Sequence, residues 1–180
     1  MMSGHRCPAP DLQRIDAMKR LSAIALAALL LALPEVASAV CILCSCSISN
    51  VTNVAFGTYN PLPGAAADTG TGHFRVSCTA GLGLLGSYTV DLSPGGSGTY
   101  SPRKMSSGSN TLNYNLYMDA ARTTVWGDGT GGTSRVNDSS VLTIGNFVRD
   151  YDVYGRILAN QQAAWPGSYA DTITLTVTLN

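Results

Sequence analysis

The residue types that most enzymes use for acid–base chemistry are scarce in this sequence. Its one glutamate is Glu35, and beyond residue 39 the one histidine is His73. A hydrolase needs a nucleophile, a base and a group that orients the base, and a lone histidine at the start of a predicted strand is more typical of a surface or edge residue. A phosphate-binding loop, a G-x-S-x-G elbow and a metal-binding triad are missing as well. We therefore expect no enzyme activity, no cofactor and no metal site.

Charged side chains are also scarce. Asp, Glu, Lys and Arg make up 12% of the residues, against about 25% in an average soluble domain. Residues 40–180 carry eight aspartates and seven Lys or Arg, with neither a basic patch for nucleic acid nor an acidic tail. Gly, Ser, Thr and Asn are abundant instead. This composition predicts a secreted β-protein that does not bind nucleic acid.

The first 39 residues have the pattern of an export signal. From Met18, a short basic segment is followed by an apolar run at residues 21–33 and by an A-x-A cleavage site at residues 37–39. The run is shorter than the ~20 residues of a membrane-spanning helix, which favours a signal peptide at residues 18–39 over a membrane anchor. Residues 1–17 then belong to an upstream start. We predict one exported domain at residues 40–180, with no membrane span after cleavage.

That domain contains four cysteines: Cys41, Cys44, Cys46 and Cys78. Disulfides are expected in an oxidising compartment. We favour Cys46–Cys78, which would join the first two predicted strands and close a loop of about 30 residues, worth roughly 3–4 kcal/mol in the chain-entropy model. Cys41 and Cys44 can then bridge each other, stay free or pair with another molecule. A zinc site is disfavoured because no histidine lies nearby.

Short segments with an apolar residue at every second position alternate with turn-rich loops. This alternation is typical of strands with one buried face. The predicted strands are residues 47–56, 73–78, 87–92, 113–118, 123–126, 141–144, 149–157 and 169–180. Seven or eight such strands, with no amphipathic segment long enough for a helix, predict an all-β sandwich.

The last predicted strand has the strongest pattern. Ile173, Leu175, Val177 and Leu179 alternate with four threonines. Because side chains alternate across a strand, one face is apolar and the other carries hydroxyl groups. An apolar face of this length needs a cover, and the sequence raises the question of what lies along the strand's other edge.

Several segments together resemble the spore coat protein U domain, a family similar to the subunits of archaic chaperone–usher pili. They occur in the family order and cover nearly all of residues 46–180. The central and C-terminal segments are the most specific. The matching segments are FGTY (56–59), FRVSCTAG (74–81), YTVDLSPG (88–95), LNYNLYMDAARTTVWGDG (112–129), YDVYGRI (151–157) and PGSYADTITLTVTL (166–179).

The resemblance implies an immunoglobulin-like β-sandwich of about seven strands that lacks its final strand. In this family a periplasmic chaperone lends a strand to the open groove, and a neighbouring subunit's N-terminal extension later replaces it. The family's disulfide would fall on Cys46 and Cys78. One wall of the acceptor groove would be formed by Ile173, Leu175, Val177 and Leu179. If these four side chains stayed wet, the loss could reach roughly 6–12 kcal/mol.

We therefore expect a structural subunit of a cell-surface fibre or coat. It would cross the periplasm to the cell surface, with a chaperone, an usher and other subunits as partners. The segment before the first family cysteine, residues 40–45, is shorter than the extension of strand-donating pilins. We expect the chain to accept a strand more readily than it donates one, unless the cleavage site lies elsewhere.

The alternative hypothesis is a secreted carbohydrate- or surface-binding module, similar to a tip adhesin. Aromatic side chains can stack on sugar rings, and two tryptophans flank turn-rich segments of this sequence. In this hypothesis Trp126, Trp165 and the loop at residues 127–133 form the binding surface.

Overall fold

The computed structural model describes residues 42–63, 69–82, 87–138 and 145–180 of the chain. These residues form eight strands and one short 3-10 turn, Gly95–Ser97. The strands are β1 (Ile42–Thr52), β2 (Thr69–Leu82), β3 (Tyr88–Leu92), β4 (Arg103–Ser107), β5 (Asn110–Tyr117), β6 (Val136–Asp138), β7 (Gly145–Ile157) and β8 (Leu175–Leu179).

The strands form two antiparallel sheets. The larger sheet has the order β1-β2-β7-β5-β4 and the smaller one β6-β3-β8. The longest ladder joins β2 to β7, from Thr69 opposite Arg156 to Ala80 opposite Gly145. The two sheets enclose one apolar core and make an immunoglobulin-like β-sandwich. The predicted fold class is therefore confirmed, with eight strands where about seven were expected.

The core follows from the two-residue period of the strands. In β2, every second residue from Gly70 to Cys78 is buried, which places Phe74 and Val76 inside with 1% and 0% exposure. The smaller sheet contributes Val90 and other side chains of β3 to the same cluster. Since side chains alternate across a strand, the apolar residues of both sheets meet in one layer.

Strands β4 and β6 were not predicted from the sequence. β4 reads RKMSS, with Met105 as its one apolar side chain, so no hydrophobic alternation marks it. β6 spans three residues and is too short to show a period. The predicted strand at residues 141–144 lies outside the described residues.

The predicted strand at residues 123–126 is wrong. The chain turns back onto β5 there, with Met118 N donating to Thr124 O and Trp126 N donating to Leu116 O. Only isolated bridges form, including the one between Tyr117 and Val125.

The structure contains the disulfide favoured from the sequence. Cys46 of β1 lies directly opposite Cys78 of β2 in the antiparallel register, and the two sulfur atoms are bonded. Cys44, two residues earlier on β1, is disulfide-bonded as well. Cys41, one of its predicted partners, lies outside the described residues.

Residues 39–180 form one compact unit by their internal contacts. The predicted signal segment lies outside the described residues. Within those residues, no helix is long and apolar enough to cross a membrane.

Candidate functional site: a cleft beside strand β8

An open cleft of about 1020 Å³ lies along one side of the sandwich. One wall is residues 51–59, which continue from the end of β1, and the other is residues 164–173, which lead into β8. The floor includes Leu92 and Ile157, both 2% exposed. The cleft therefore opens directly onto the hydrophobic core.

Strand β8 pairs with β3 on one side only. Ser93 N donates to Thr174 O at 3.0 Å, and Asn180 N donates to Ser87 O at 2.9 Å. Hydrogen-bonded and non-hydrogen-bonded pairs alternate along an antiparallel ladder. The backbone N–H and C=O groups of Leu175, Val177 and Leu179 consequently point away from β3. In the part of the chain that the structure describes, no strand pairs with that edge.

The four residues predicted for the groove share this edge. Ile173, Leu175, Val177 and Leu179 are all half-buried and pack against the core. Ile173 and Leu175 line the cleft, whereas Val177 and Leu179 do not. Strand β1 approaches β8. The open space thus lies at the N-terminal end of the β8 edge.

The opposite wall rests on glycines. Val54 and Phe56 are half-buried over Gly70 and Gly155, which face each other in the β2–β7 ladder. A Cβ atom at Gly155 would lie 2.5 Å from Val54 Cγ1 and 2.6 Å from the Phe56 ring. Glycine is therefore required for this wall to lie so close to the sheet.

The backbone of that wall is unpaired. Among the described residues, none forms a backbone–backbone hydrogen bond with residues 53–57. This stretch is held by the packing of Val54 and Phe56, whose ring meets Tyr114 edge-on with centroids 5.9 Å apart. The cleft thus has unpaired backbone groups on both sides.

A buried guanidinium fixes the approach to β8. Arg103 is 0% exposed and donates from Nε and Nη2 to Ser93 O, at 3.1 and 2.9 Å. Its Nη1 donates to Asn115 Oδ1 at 2.8 Å. Burial lowers the pKa of Arg103. Ser93 in turn accepts from Thr174 N through Oγ at 2.9 Å, so Arg103 positions the residue that precedes β8.

Asp171 ties the same segment to the rest of the fold. Its carboxylate accepts hydrogen bonds from Tyr114 Oη at 2.7 Å, Gly96 N at 2.9 Å and Thr172 N at 2.8 Å. Burial and the bond to Asp171 raise the pKa of Tyr114. The carboxylate that lines the cleft is therefore engaged in structure at both oxygens.

The charged residues Arg75, Asp150 and Asp152 of β2 and β7 do not line the cleft, whereas His73 of β2 does. Arg75 donates two bonds to Asp150, at 2.6 and 2.8 Å, and this lowers the pKa of Asp150. His73 Nδ1 lies 3.1 Å from Asp152 Oδ1. Within the described ranges, no three His, Cys, Asp or Glu side chains are grouped so as to hold a metal ion.

The predicted role of Trp126 in surface binding is wrong. Trp126 is 1% exposed, its Nε1 donates to Val90 O at 3.1 Å, and its ring packs against Phe74 and Tyr151. The backbone bond of Trp126 to β5 turns the indole into the core. Trp165, the second predicted contact, is 68% exposed and lies at the cleft.

No sequence prediction singled out Arg103, Ser93 or Asp171. A signal for Arg103 exists in its spacing, because it lies two residues before Met105 and so shares the inward face of β4. A buried arginine bonded to main-chain carbonyls leaves no other mark in the sequence.

The family follows from a comparison of the whole chain with known domain models. The spore coat protein U domain model matches residues 32–176. The chain belongs to the spore coat protein U domain family. A comparison with curated protein sequences gives no match.

Two solved structures resemble this family member. One is a chain of the CsuC–CsuE chaperone–tip adhesion subunit pre-assembly complex from archaic chaperone–usher Csu pili of Acinetobacter baumannii, with TM-score 0.51 and 22% identity. The match covers 76% of this chain and 40% of that chain, so this chain spans less than half of that length. The other is a chain of a chaperone–tip adhesin complex of CFA/I fimbriae biogenesis, with TM-score 0.39, 13% identity and coverage of 75% and 42%. The first likeness supports the sandwich fold.

Proposed function

We propose that this chain is an exported structural subunit of a cell-surface fibre or coat, completed by a strand from another polypeptide. A periplasmic chaperone supplies the strand first, and a neighbouring subunit supplies it after an usher-dependent exchange. The signal peptide at residues 18–39 is removed during export, and residues 40–180 cross the periplasm to the cell surface. Family membership supports this proposal, as does the likeness in fold to a chain of a pilus assembly complex.

The observation that carries the proposal is the open edge of β8. The backbone groups of Leu175, Val177 and Leu179 that point away from β3 pair with no strand among the described residues, and the three apolar side chains are only half-buried. Of the three, Leu175 lines the cleft. An added strand satisfies the backbone and covers the side chains in one step, which is the mode of β-strand addition. Exposed apolar strand edges otherwise promote aggregation.

The size of the effect follows from the exposed apolar area. Full burial of an aliphatic side chain contributes about 1.5–3 kcal/mol, and the four edge residues are already half-buried. Completion therefore adds several kcal/mol but less than the roughly 6–12 kcal/mol of four fully wet side chains. A gain of that size is a large part of a domain's total stability.

Co-expression with a candidate periplasmic chaperone tests the proposal. We expect a 1:1 complex, with the free subunit aggregating or unfolding at a much lower temperature. Synthetic peptides of about ten residues that alternate apolar residues with threonine should raise the Tm. A scrambled peptide of the same composition is the control. A free subunit that folds reversibly and ignores both chaperone and peptides would contradict the proposal.

The carbohydrate-binding alternative has less support. It relied on two tryptophans and the loop at residues 127–133, and Trp126 is buried. The loop is occupied with its own turn, in which Thr130 N and Oγ1 both donate to Asp128 Oδ1. Trp165 alone stays available for a surface contact.

A further inference from the structure

Two arginine side chains converge on the turn that follows β5. Arg122 lies in this turn and donates from Nε to Gly155 O at 3.0 Å and from Nη1 to Ala120 O at 2.9 Å. Arg156 of β7, the residue after Gly155, donates from Nη2 to Ala121 O at 3.1 Å. The two guanidinium groups are thus bonded to consecutive carbonyls of one turn. We call Arg122 and Arg156 the arginine pair.

Each guanidinium also lies over an aromatic ring. Arg122 Cζ is 5.8 Å from the centroid of the Tyr154 ring, and Arg156 Cζ is 5.5 Å from that of Tyr117. The two tyrosines are register partners across β7 and β5. Aromatic rings attract cations through their negative faces. The rings and the carbonyl bonds together set the positions of both guanidinium groups before any ligand binds.

The arginine pair has no carboxylate partner among the described residues. Asp119, three residues before Arg122, accepts bonds from the turn backbone instead. Asp152, on the exposed face of β7, lies beside His73. The other partly exposed arginines of the described chain are ion-paired: Arg75, Arg135 and Arg149. In a chain with few charges, the two guanidinium groups left without a carboxylate therefore lie at the same turn.

This arrangement leaves donors and charge available. The three hydrogen bonds of the arginine pair use less than half of the N–H donors that two guanidinium groups carry. Two neighbouring cations also repel each other. An anion bound by both groups would cancel this repulsion and accept hydrogen bonds from the unused donors.

The backbone at Arg122 is unusual for an arginine. Its φ is 58°, in the left-handed region that residues other than Gly, Asn and Asp seldom adopt. The other non-glycine residues with positive φ in the described chain are Asn50 and Asn160. A long cationic side chain is therefore held here against the local backbone preference, and such strained positions cluster at functional sites.

We propose that the arginine pair binds a tetrahedral oxyanion of the phosphate or sulfate class. Such an ion has enough oxygens for two guanidinium forks, whereas a carboxylate has two oxygens and is matched by one fork. Neither arginine lines the cleft, so this site is separate from the proposed strand acceptor and does not depend on it. A free ion and a phosphate-bearing polymer offer the same chemistry.

The experiment titrates the exported protein with inorganic phosphate and follows the arginine Nε–H resonances by NMR. Salt at about 0.15 M screens charges more than ~8 Å away. We expect saturable shifts at Arg122 and Arg156 and a rise in Tm with phosphate. Arg122→Asn, which tolerates positive φ, and Arg156→Gln should each weaken phosphate binding by about 10-fold or more. Arg156→Lys keeps the charge without the fork and should weaken it less.

The matched control is Arg135→Gln. It removes the same charge beside β6 of the smaller sheet, where Arg135 is paired with Asp91 at 2.6 Å, and should leave phosphate affinity within about 2-fold. Absence of saturable phosphate binding to the wild type would overturn the inference. Acetate binding as tight as that of phosphate, or equal weakening by Arg135→Gln, would overturn it as well.

A second titration, with long-chain polyphosphate, distinguishes the two sources of the ion. Tighter binding than that of inorganic phosphate at equal phosphate concentration would support the site and assign it to a polymer. Equal binding would support the site and assign it to the free ion. Neither titration tests the proposed function, which depends on the cleft, so the two can fail independently.

Discussion

Strands β3 and β8 are neighbours with the same alternating pattern, but the apolar side chains of β3 are buried more completely than those of β8. Val90 and Leu92 of β3 are 0% and 2% exposed. Their register partners on β8, Val177 and Leu175, are half-buried. The comparison is therefore between identical residue types that face each other across one ladder: Val90 with Val177, and Leu92 with Leu175.

The difference comes from the neighbours of each strand. β3 lies between β6 and β8, whereas β8 pairs with β3 alone in the described chain. Hydrophobic alternation therefore tells which face of a strand seeks burial, and the position of the strand in the sheet decides whether burial is complete. The incomplete burial of β8 is what an acceptor site for an added strand requires.

The largest expected effect on stability comes from shortening the two paired leucines, Leu92 and Leu175, to alanine. Leu92→Ala should lower the free energy of unfolding by about 3–4 kcal/mol, because it leaves a cavity in a packed core. Leu175→Ala should cost the free protein about 1 kcal/mol, because its site is already open to water. Urea unfolding of both variants measures the two costs. With a strand-donating peptide bound, the cost of Leu175→Ala should rise towards that of Leu92→Ala; equal costs in the free protein would refute the contrast.

A proline pair separates the two edges of β8. The N–H of Thr178 points to β3, so Thr178→Pro should remove a ladder bond and, by leaving its carbonyl partner unsatisfied, destabilise the protein by about 1–3 kcal/mol. The N–H of Val177 points to the open edge, where proline is tolerated. Val177→Pro should therefore cost much less stability, yet it should block strand addition. Thermal unfolding with and without the peptide gives both quantities, and equal destabilisation by the two prolines would show that both N–H groups are bonded.

The smallest effect lies at a turn remote from both strands. Asp119 accepts backbone bonds from Thr124 and Thr123, which lower its pKa below the ordinary 3.8. The stabilisation is then complete well above pH 3.8 and is lost as the pH falls through the lowered pKa. Asp119→Asn should flatten the acid limb of a plot of Tm against pH. An unchanged acid limb would mean that these bonds do not favour the ionised carboxylate.

Much of the architecture was predictable because its signals are local. The alternation in β2, β3 and β8 is a two-residue period that needs no knowledge of the fold. The spacing of Cys46 and Cys78 suited two neighbouring strands, and the structure pairs them. The shared edge of Ile173 and Leu175 follows from the same period.

What the sequence could not reveal depends on tertiary contacts. Trp126 looks like a surface residue before a glycine-rich loop, and only the return of the chain onto β5 turns it inward. Arg103 looks like an ordinary surface cation, and its burial depends on the carbonyls of Ser93 and Trp126. The extent of the cleft also depends on how closely β1 approaches β8.

The width of the cleft depends on two glycines, Gly70 and Gly155, that lie beneath one of its walls and do not line it. A methyl group on Gly70 would nevertheless meet the Ala55 carbonyl, and one on Gly155 would meet Val54 and Phe56, so either would push this wall towards the opposite one. The breadth of the opening is thus encoded in residues that an inventory of contacts would omit. For engineering, a methyl group added at either position should narrow the cleft and favour strands with smaller side chains.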